Sequence, residues 1–145
     1  TMPFYCRLVV ESTCILAMKK ILLVLLMMIA FPVYAEWKLL IVTPPMDTYY
    51  VDPATKTTGD KPRVTTMLNG RSRETRTSNK VVWEADCKKV RVRALSRIRY
   101  EKRYFQGKVI FNDPYPGDPV YPLPGSPTEK LFIYLCGFKP SRPPR

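Results

Sequence analysis

The segment from Met18 to Ala35 constrains this chain most, because it has the three parts of a secretory signal peptide. A positively charged start precedes an apolar run, and small residues occupy the −3 and −1 positions before Glu36. Pro32 interrupts the run, which falls short of the roughly 20 apolar residues that a membrane-spanning helix needs. We therefore predict cleavage after Ala35, which leaves residues 36–145 to fold in an oxidising compartment.

The two ends of the chain are predicted to lie outside the folded part. Residues 1–17 have no role upstream of a signal peptide, so we interpret them as a non-translated extension and Met18 as the start. The alternative is a membrane-anchored form whose helix draws on Ile15 to Val33. Residues 138–145 are basic and rich in proline, which is typical of a disordered tail.

Two cysteines remain after cleavage, Cys87 and Cys136. In an oxidising compartment we expect them to form a disulfide, and the alternative is two buried free thiols. A bridge that closes a span of this length stabilises a domain by about 4 kcal/mol. A chain this short forms one domain with one modest core.

Hydrophobic patterning predicts an α+β fold, with a small antiparallel sheet of five to six strands and one C-terminal helix. The predicted strands are residues 37–42, 49–51, 63–68, 81–87, 90–100 and 108–111. Asn69-Gly70 is a hairpin signal, and residues 71–80 after it are predicted to be a loop or an edge. Ser126 to Glu129 forms a capping box with Pro127 at the first helical position, and Gly137 marks the end of the helix. The disulfide would tether this helix to the strand that ends at Cys87.

The charge of the chain favours binding over catalysis. The formal net charge is +12, and much of it lies between residues 71 and 103. Such a surface attracts polyanions, for example a heparin-like glycan or lipopolysaccharide. The chain has no histidine, no glycine-rich phosphate loop and no G-x-S-x-G motif, so we predict no enzyme, no metal and no cofactor. An enzyme that uses scattered carboxylates on anionic polymers is the weakest alternative.

The candidate binding residues come from the most regular strand pattern. Alternation over residues 90–100 predicts one row of four arginines about 27 Å long, because alternate residues of a strand lie about 6.7 Å apart on one face. Arginine suits sulfate and phosphate because its planar fork donates two hydrogen bonds. The alternative is a merely solvated sheet face, partly neutralised by Glu84 and Asp86. The complete predicted set is Arg91, Arg93, Arg97, Arg99, Arg71, Arg73, Arg76 and Lys80. Nucleic acid is not expected, because Tyr100 lies on the other face by parity and the chain is exported.

Several short motifs follow the predicted cleavage site in order: Trp37, the 49–53 block Y-Y-V-D-P, Arg63-Val64, Asp86-Cys87, Tyr100, and residues 124–131 leading to Cys136. This order and the cysteine-to-helix spacing resemble the surface-adhesin protein E family of Gram-negative bacteria. The resemblance implies a small antiparallel sheet with a C-terminal helix tethered by the Cys87–Cys136 disulfide. It also implies host vitronectin or laminin as partners and the capacity to form a homodimer.

Together these features predict an exported, non-enzymatic, adhesin-like domain over residues 36–137. It would engage a host matrix or serum protein, or an anionic polymer, through a basic sheet face. The location is the periplasm or the cell surface of a Gram-negative bacterium. Ala35-Glu36 lacks the cysteine of a lipoprotein cleavage site, so no lipid anchor is predicted. The alternative function is a periplasmic, envelope-associated structural protein without a host ligand.

Overall fold

The computed structural model describes residues 15–26, 36–44, 46–71 and 76–141. Contacts divide the chain into two compact units, with the boundary between Tyr34 and Ala35. In the first unit, residues 15–26 form helix α1, whose side chains are exposed. Within the described ranges, no helix has both the length and the apolar character to cross a membrane. The predicted cleavage site lies outside the described residues, so the signal peptide, the upstream extension and the disordered tail stay predictions.

The second unit contains one six-stranded antiparallel sheet, as the patterning predicted. Its strands are neighbours in chain order, so the sheet is a simple meander. They are β1 (Lys38–Thr43), β2 (Asp47–Asp52), β3 (Arg63–Asn69), β4 (Ser78–Asp86), β5 (Arg91–Tyr100) and β6 (Val109–Asp113). Three strand ends differ from the prediction by more than one residue: β2 begins two residues earlier, β4 begins three residues earlier and β6 ends two residues later. Asn69 also ends β3 instead of forming a two-residue turn. The connection between β3 and β4 is longer and is closed by the Gly70 N–H, which donates to the Thr77 carbonyl at 3.0 Å.

Helix α2 (Pro127–Cys136) has the predicted caps at both ends. Ser126 Oγ accepts a hydrogen bond from the Glu129 N–H at 3.2 Å, and Glu129 Oε2 accepts one from the Gly125 N–H at 2.7 Å. Gly137 ends the helix in the left-handed conformation, with φ of 79°. Local sequence signals therefore determine both ends of this helix.

The core lies between α2 and one face of the sheet, which we call the helix face. Phe132 and its neighbours Leu131 and Leu135 pack there against small and β-branched residues from the four central strands. These strand residues are Val51, Val64, Ala85 and Val92. The Cys87–Cys136 disulfide joins the end of α2 to the residue after β4, with a Cα–Cα distance of 5.6 Å. The predicted disulfide is thus confirmed, and the alternative of two free thiols is wrong.

The other side of the sheet, the opposite face, carries a smaller cover made by the segment after β5. Tyr104 and Phe105 both have positive φ there, and their backbone N–H groups are held by side chains of the sheet. The Tyr104 N–H donates to Asn69 Oδ1 at 2.8 Å, and the Phe105 N–H donates to Ser78 Oγ at 2.9 Å. The Phe105 ring lies edge-on to Trp37, with 5.6 Å between centroids. Asn69 and Ser78 are therefore buried because their side chains hold the backbone of this covering segment.

Candidate functional site

A β-bulge in β5 determines where the arginines point. Trp83 pairs with Ala94 and Val82 pairs with Ser96, so Leu95 has no partner of its own on β4. One extra residue in a strand reverses the facing of everything beyond it, because side chains alternate with a period of two.

The prediction of one four-arginine row is therefore wrong. Arg97 pairs with Val81 and Arg99 with Asn79, which places both on the helix face. Arg93 pairs with Glu84, and Arg91 with Asp86, on the opposite face. The bulge divides the arginines into two pairs with different surroundings.

On the opposite face, Arg93 is engaged with the buried carboxylate of Glu84. Glu84 is only 4% exposed, yet its carboxylate is satisfied from two sides. Arg93 Nη2 lies 2.8 Å from Glu84 Oε1, and Arg63 Nη2 lies 2.8 Å from Glu84 Oε2. Near Arg91, the pKa of Asp86 is lowered first by a hydrogen bond from the Lys89 N–H and further by nearby positive charges. This part of the basic surface serves the stability of the sheet.

The Glu84 pairs should make stability depend on pH. Burial acts to raise the pKa of Glu84, but hydrogen bonds from Arg93 and Arg63 outweigh it and hold the pKa below its ordinary value of 4.5. A group with a depressed folded-state pKa stabilises the fold above its unfolded-state pKa, and this contribution is lost as pH falls through the folded-state value. We expect Glu84→Gln to lower the free energy of unfolding by about 1.5–3 kcal/mol at pH 7, and by clearly less at pH 3.

Urea unfolding of both proteins at the two pH values measures this difference. Glu101→Gln, an exposed carboxylate without an ion pair among the described residues, is the control and should cost little at either pH. An equal cost of Glu84→Gln at pH 7 and pH 3 would contradict the role given to the ionised carboxylate.

The arginines of the helix face have a different environment. Arg97 and Arg99 are both exposed, and in the described part of the chain no carboxylate lies within 4.0 Å of either guanidinium. Arg99 Nε donates to Asn79 Oδ1 at 3.0 Å, and its guanidinium lies 5.9 Å from the centroid of the Phe111 ring. These contacts orient Arg99 without neutralising it. The charge of this pair is therefore available to a ligand.

Beside this pair lies a groove of about 380 Å³ between the helix face and the first turn of α2. This volume is within the range of small-molecule sites, which is about 300–1,000 Å³. Its lining is mainly apolar and includes Leu68, Val81, Trp83 and Leu131. We call this feature, together with Arg97 and Arg99, the cationic groove.

The position of α2 explains why the groove exists. The fully buried core residues Val51 and Val64 lie toward the disulfide end of the sheet, where α2 is tethered. The row Tyr49, Leu68, Asn79 and Arg99 crosses the sheet nearer its other end and lines the groove. Burial raises the pKa of Tyr49, as does the nearby Asp47.

The remaining predicted binding residues fall into three groups. Lys80 lies on the opposite face, paired with Ile98, and is separated from the groove by the sheet. Arg71 and Arg76 are exposed in the connection between β3 and β4, at the same end of the sheet as Asn79. Arg73 lies outside the described residues. That any of them binds a ligand stays a prediction.

The prediction missed the apolar part of the site. Trp83 and Leu131 carried the sequence signals of ordinary core residues, and Ser126 and Pro127 carried those of a helix start. All four line the groove. The one signal for the bulge was Leu95, the single apolar residue within the predicted row of arginines.

Of three comparisons with known proteins, one gives a match. No curated protein and no solved structure matches the chain significantly. The family model for Surface-adhesin protein E matches residues 37–137, which span the sheet, the disulfide and α2. The chain therefore belongs to the surface-adhesin protein E family.

Proposed function

We propose that this protein is an adhesin-like binding module that engages an anionic extracellular partner through Arg97 and Arg99. Family membership supports an adhesin-like surface protein with a non-enzymatic role. The observation that carries the proposal is that Arg93 on one face is ion-paired, whereas Arg97 and Arg99 on the other are not in the part of the chain that the structure describes. Arg93 shares a buried carboxylate with Arg63, whereas Arg97 and Arg99 have no acidic neighbour within 4.0 Å among the described residues.

Arg71 and Arg76 extend the proposed surface. They belong to the connection at the same end of the sheet as Arg99, so a partner that covers the groove can also reach them. Arg91, Arg93 and Lys80 are left out of the surface because they occupy the opposite face.

Charge reversal at the two free arginines tests the proposal. We expect Arg97→Glu/Arg99→Glu to weaken binding of residues 36–145 to immobilised vitronectin at least tenfold, which is about 1.4 kcal/mol. The reason is that each substitution removes charge-assisted hydrogen bonds and introduces repulsion. Binding of the unaltered protein should fall as salt rises, since screening shortens the reach of exposed charges to about 8 Å at physiological ionic strength.

The matched control is Lys80→Glu/Lys108→Glu. It makes the same change in net charge, Lys80 lies on the opposite face, and both lysines are exposed. Heparin should compete with vitronectin if the contact is electrostatic, and laminin is the second partner to test. Equal losses in both variants would mean that net charge, and not this face, controls binding. No binding at any salt concentration would favour the periplasmic structural alternative, which fractionation of cells would then test.

A further inference from the structure

We infer that the cationic groove binds a single-chain anionic amphiphile, with its head group between Arg97 and Arg99 and its chain over Trp83. The inference deepens the proposed function and rests on it, because both use the same two arginines. It names a ligand with two parts, since the site has two parts of different chemistry.

The apolar part of the site needs an apolar occupant. Trp83 and Leu68 are only half-buried, and they form a continuous surface with Val81 and Leu131. The Trp83 Nε1–H already donates to Thr66 Oγ1 at 3.0 Å, so the indole presents its ring and not a free donor. A purely polar polyanion would neutralise the arginines but leave the exposed parts of Trp83 and Leu68 in contact with water, whereas Val81 and Leu131 are already buried. An alkyl chain would cover Trp83 and Leu68 and remove their exposed apolar surface from water, which favours binding.

The anion-binding part of the site consists of the two arginines and not of the start of α2. Ser126 Oγ is occupied by the Glu129 N–H and by Thr128 Oγ1, the latter at 2.7 Å. The buried Glu129 carboxylate already places a negative charge at this end of the helix. Arg97 and Arg99 lie about 6.7 Å apart along the strand, so both guanidinium groups can reach one carboxylate.

Tryptophan fluorescence tests the inference, because the chain has two tryptophans and they lie in different places. Trp37→Phe in the full chain leaves Trp83 as the only reporter, and it keeps an aromatic ring against Phe105. We expect dodecanoate, titrated below its micelle concentration, to cause a saturable shift of Trp83 emission to shorter wavelength. Butanoate has the same head group without the chain, and dodecyltrimethylammonium has the chain with a positive head; both should bind at least tenfold more weakly.

Two variants locate the ligand. Arg97→Gln/Arg99→Gln should weaken dodecanoate binding at least tenfold, whereas Lys80→Gln/Lys108→Gln should leave it unchanged. Leu68→Phe should fill part of the groove and weaken dodecanoate without changing the charge. If Leu68→Phe also lowers the melting temperature, its weaker binding could reflect a damaged fold. The comparison of Arg97→Gln/Arg99→Gln with Lys80→Gln/Lys108→Gln then locates the ligand without it. No saturable response, or equal affinity for dodecanoate and dodecyltrimethylammonium, would overturn the inference.

The two proposals can fail separately. Dodecanoate binding without salt-dependent vitronectin binding would remove the proposed partner and retain the amphiphile site. Vitronectin binding that is lost in Arg97→Glu/Arg99→Glu, together with an unresponsive Trp83, would retain the basic surface and overturn the amphiphile site.

Discussion

Phe132→Ala should lower the free energy of unfolding by about 3–5 kcal/mol. The Phe132 side chain has no exposed surface and belongs to the one hydrophobic cluster that joins α2 to the sheet. Its loss removes the contacts of a large buried ring and leaves a cavity that the rigid sheet cannot close. Since small domains have only about 5–15 kcal/mol of stability in total, the variant should be close to unfolding at physiological temperature. Urea unfolding of residues 36–145, followed by circular dichroism, measures the effect.

Phe138→Ala is the matched control for this substitution. Phe138 packs edge-on against Phe132, with 5.3 Å between centroids, but its side chain is 45% exposed. The same atoms are deleted, so the difference between the two variants reports burial. We expect a loss of about 1 kcal/mol or less for Phe138→Ala. Similar losses in both variants would contradict the view that the complete burial of Phe132 determines the cost of its removal.

Removal of the disulfide should have an effect of similar size. We expect Cys87→Ser/Cys136→Ser to lower the free energy of unfolding by about 4 kcal/mol, because the bridge joins residues 49 positions apart and restricts the unfolded chain. The bridge also holds the end of α2 against the sheet near Ala85 and Val92, so its loss should loosen the helix before the strands. Hydrogen exchange would detect this as faster exchange of amides in α2.

Reduction of the unaltered protein provides the control. A thiol reductant should reproduce the cost of the double substitution and should have no further effect on the variant itself. If the reductant destabilises both proteins equally, a process other than cleavage of this bridge is responsible. If the variant unfolds at the same urea concentration as the unaltered protein, packing alone holds α2 in place.

Much of the fold follows from signals that act over a few residues. The capping box at Ser126 and the glycine at position 137 predicted where α2 begins and ends, and the structure has the same two ends. The predicted strands matched because alternation of apolar and polar residues reports directly on a sheet with one buried face. The start of β4 was missed because Ser78 and Asn79 have low strand propensity. Ser78 is buried because the segment after β5 packs over it and hydrogen-bonds to its hydroxyl. This contact depends on tertiary structure and leaves no signal in the local sequence.

The candidate site was less predictable, and the reason is physical. A bulge changes the facing of a strand without changing its composition, so the row from Arg91 to Arg99 had the same pattern with or without it. The pairing of Val82 with Ser96 is what reveals it. The groove depends on where α2 rests on the sheet, which is fixed by core packing and by a disulfide between residues 49 positions apart. Periodicity within one element carries no information on such placement.

The bulge at Leu95 also separates the arginines of β5 by how freely they could change during evolution. Arg93, before the bulge, is bound to the buried Glu84 carboxylate, so a substitution there risks the fold itself. The arginines after the bulge contact no acidic group among the described residues, so they can be exchanged at little structural cost. One strand thus carries an arginine that supports the fold and two that contribute little to it. Under the function proposed above, a lineage that meets a new partner could change Arg97 and Arg99 while Arg93 and its carboxylate partner are kept.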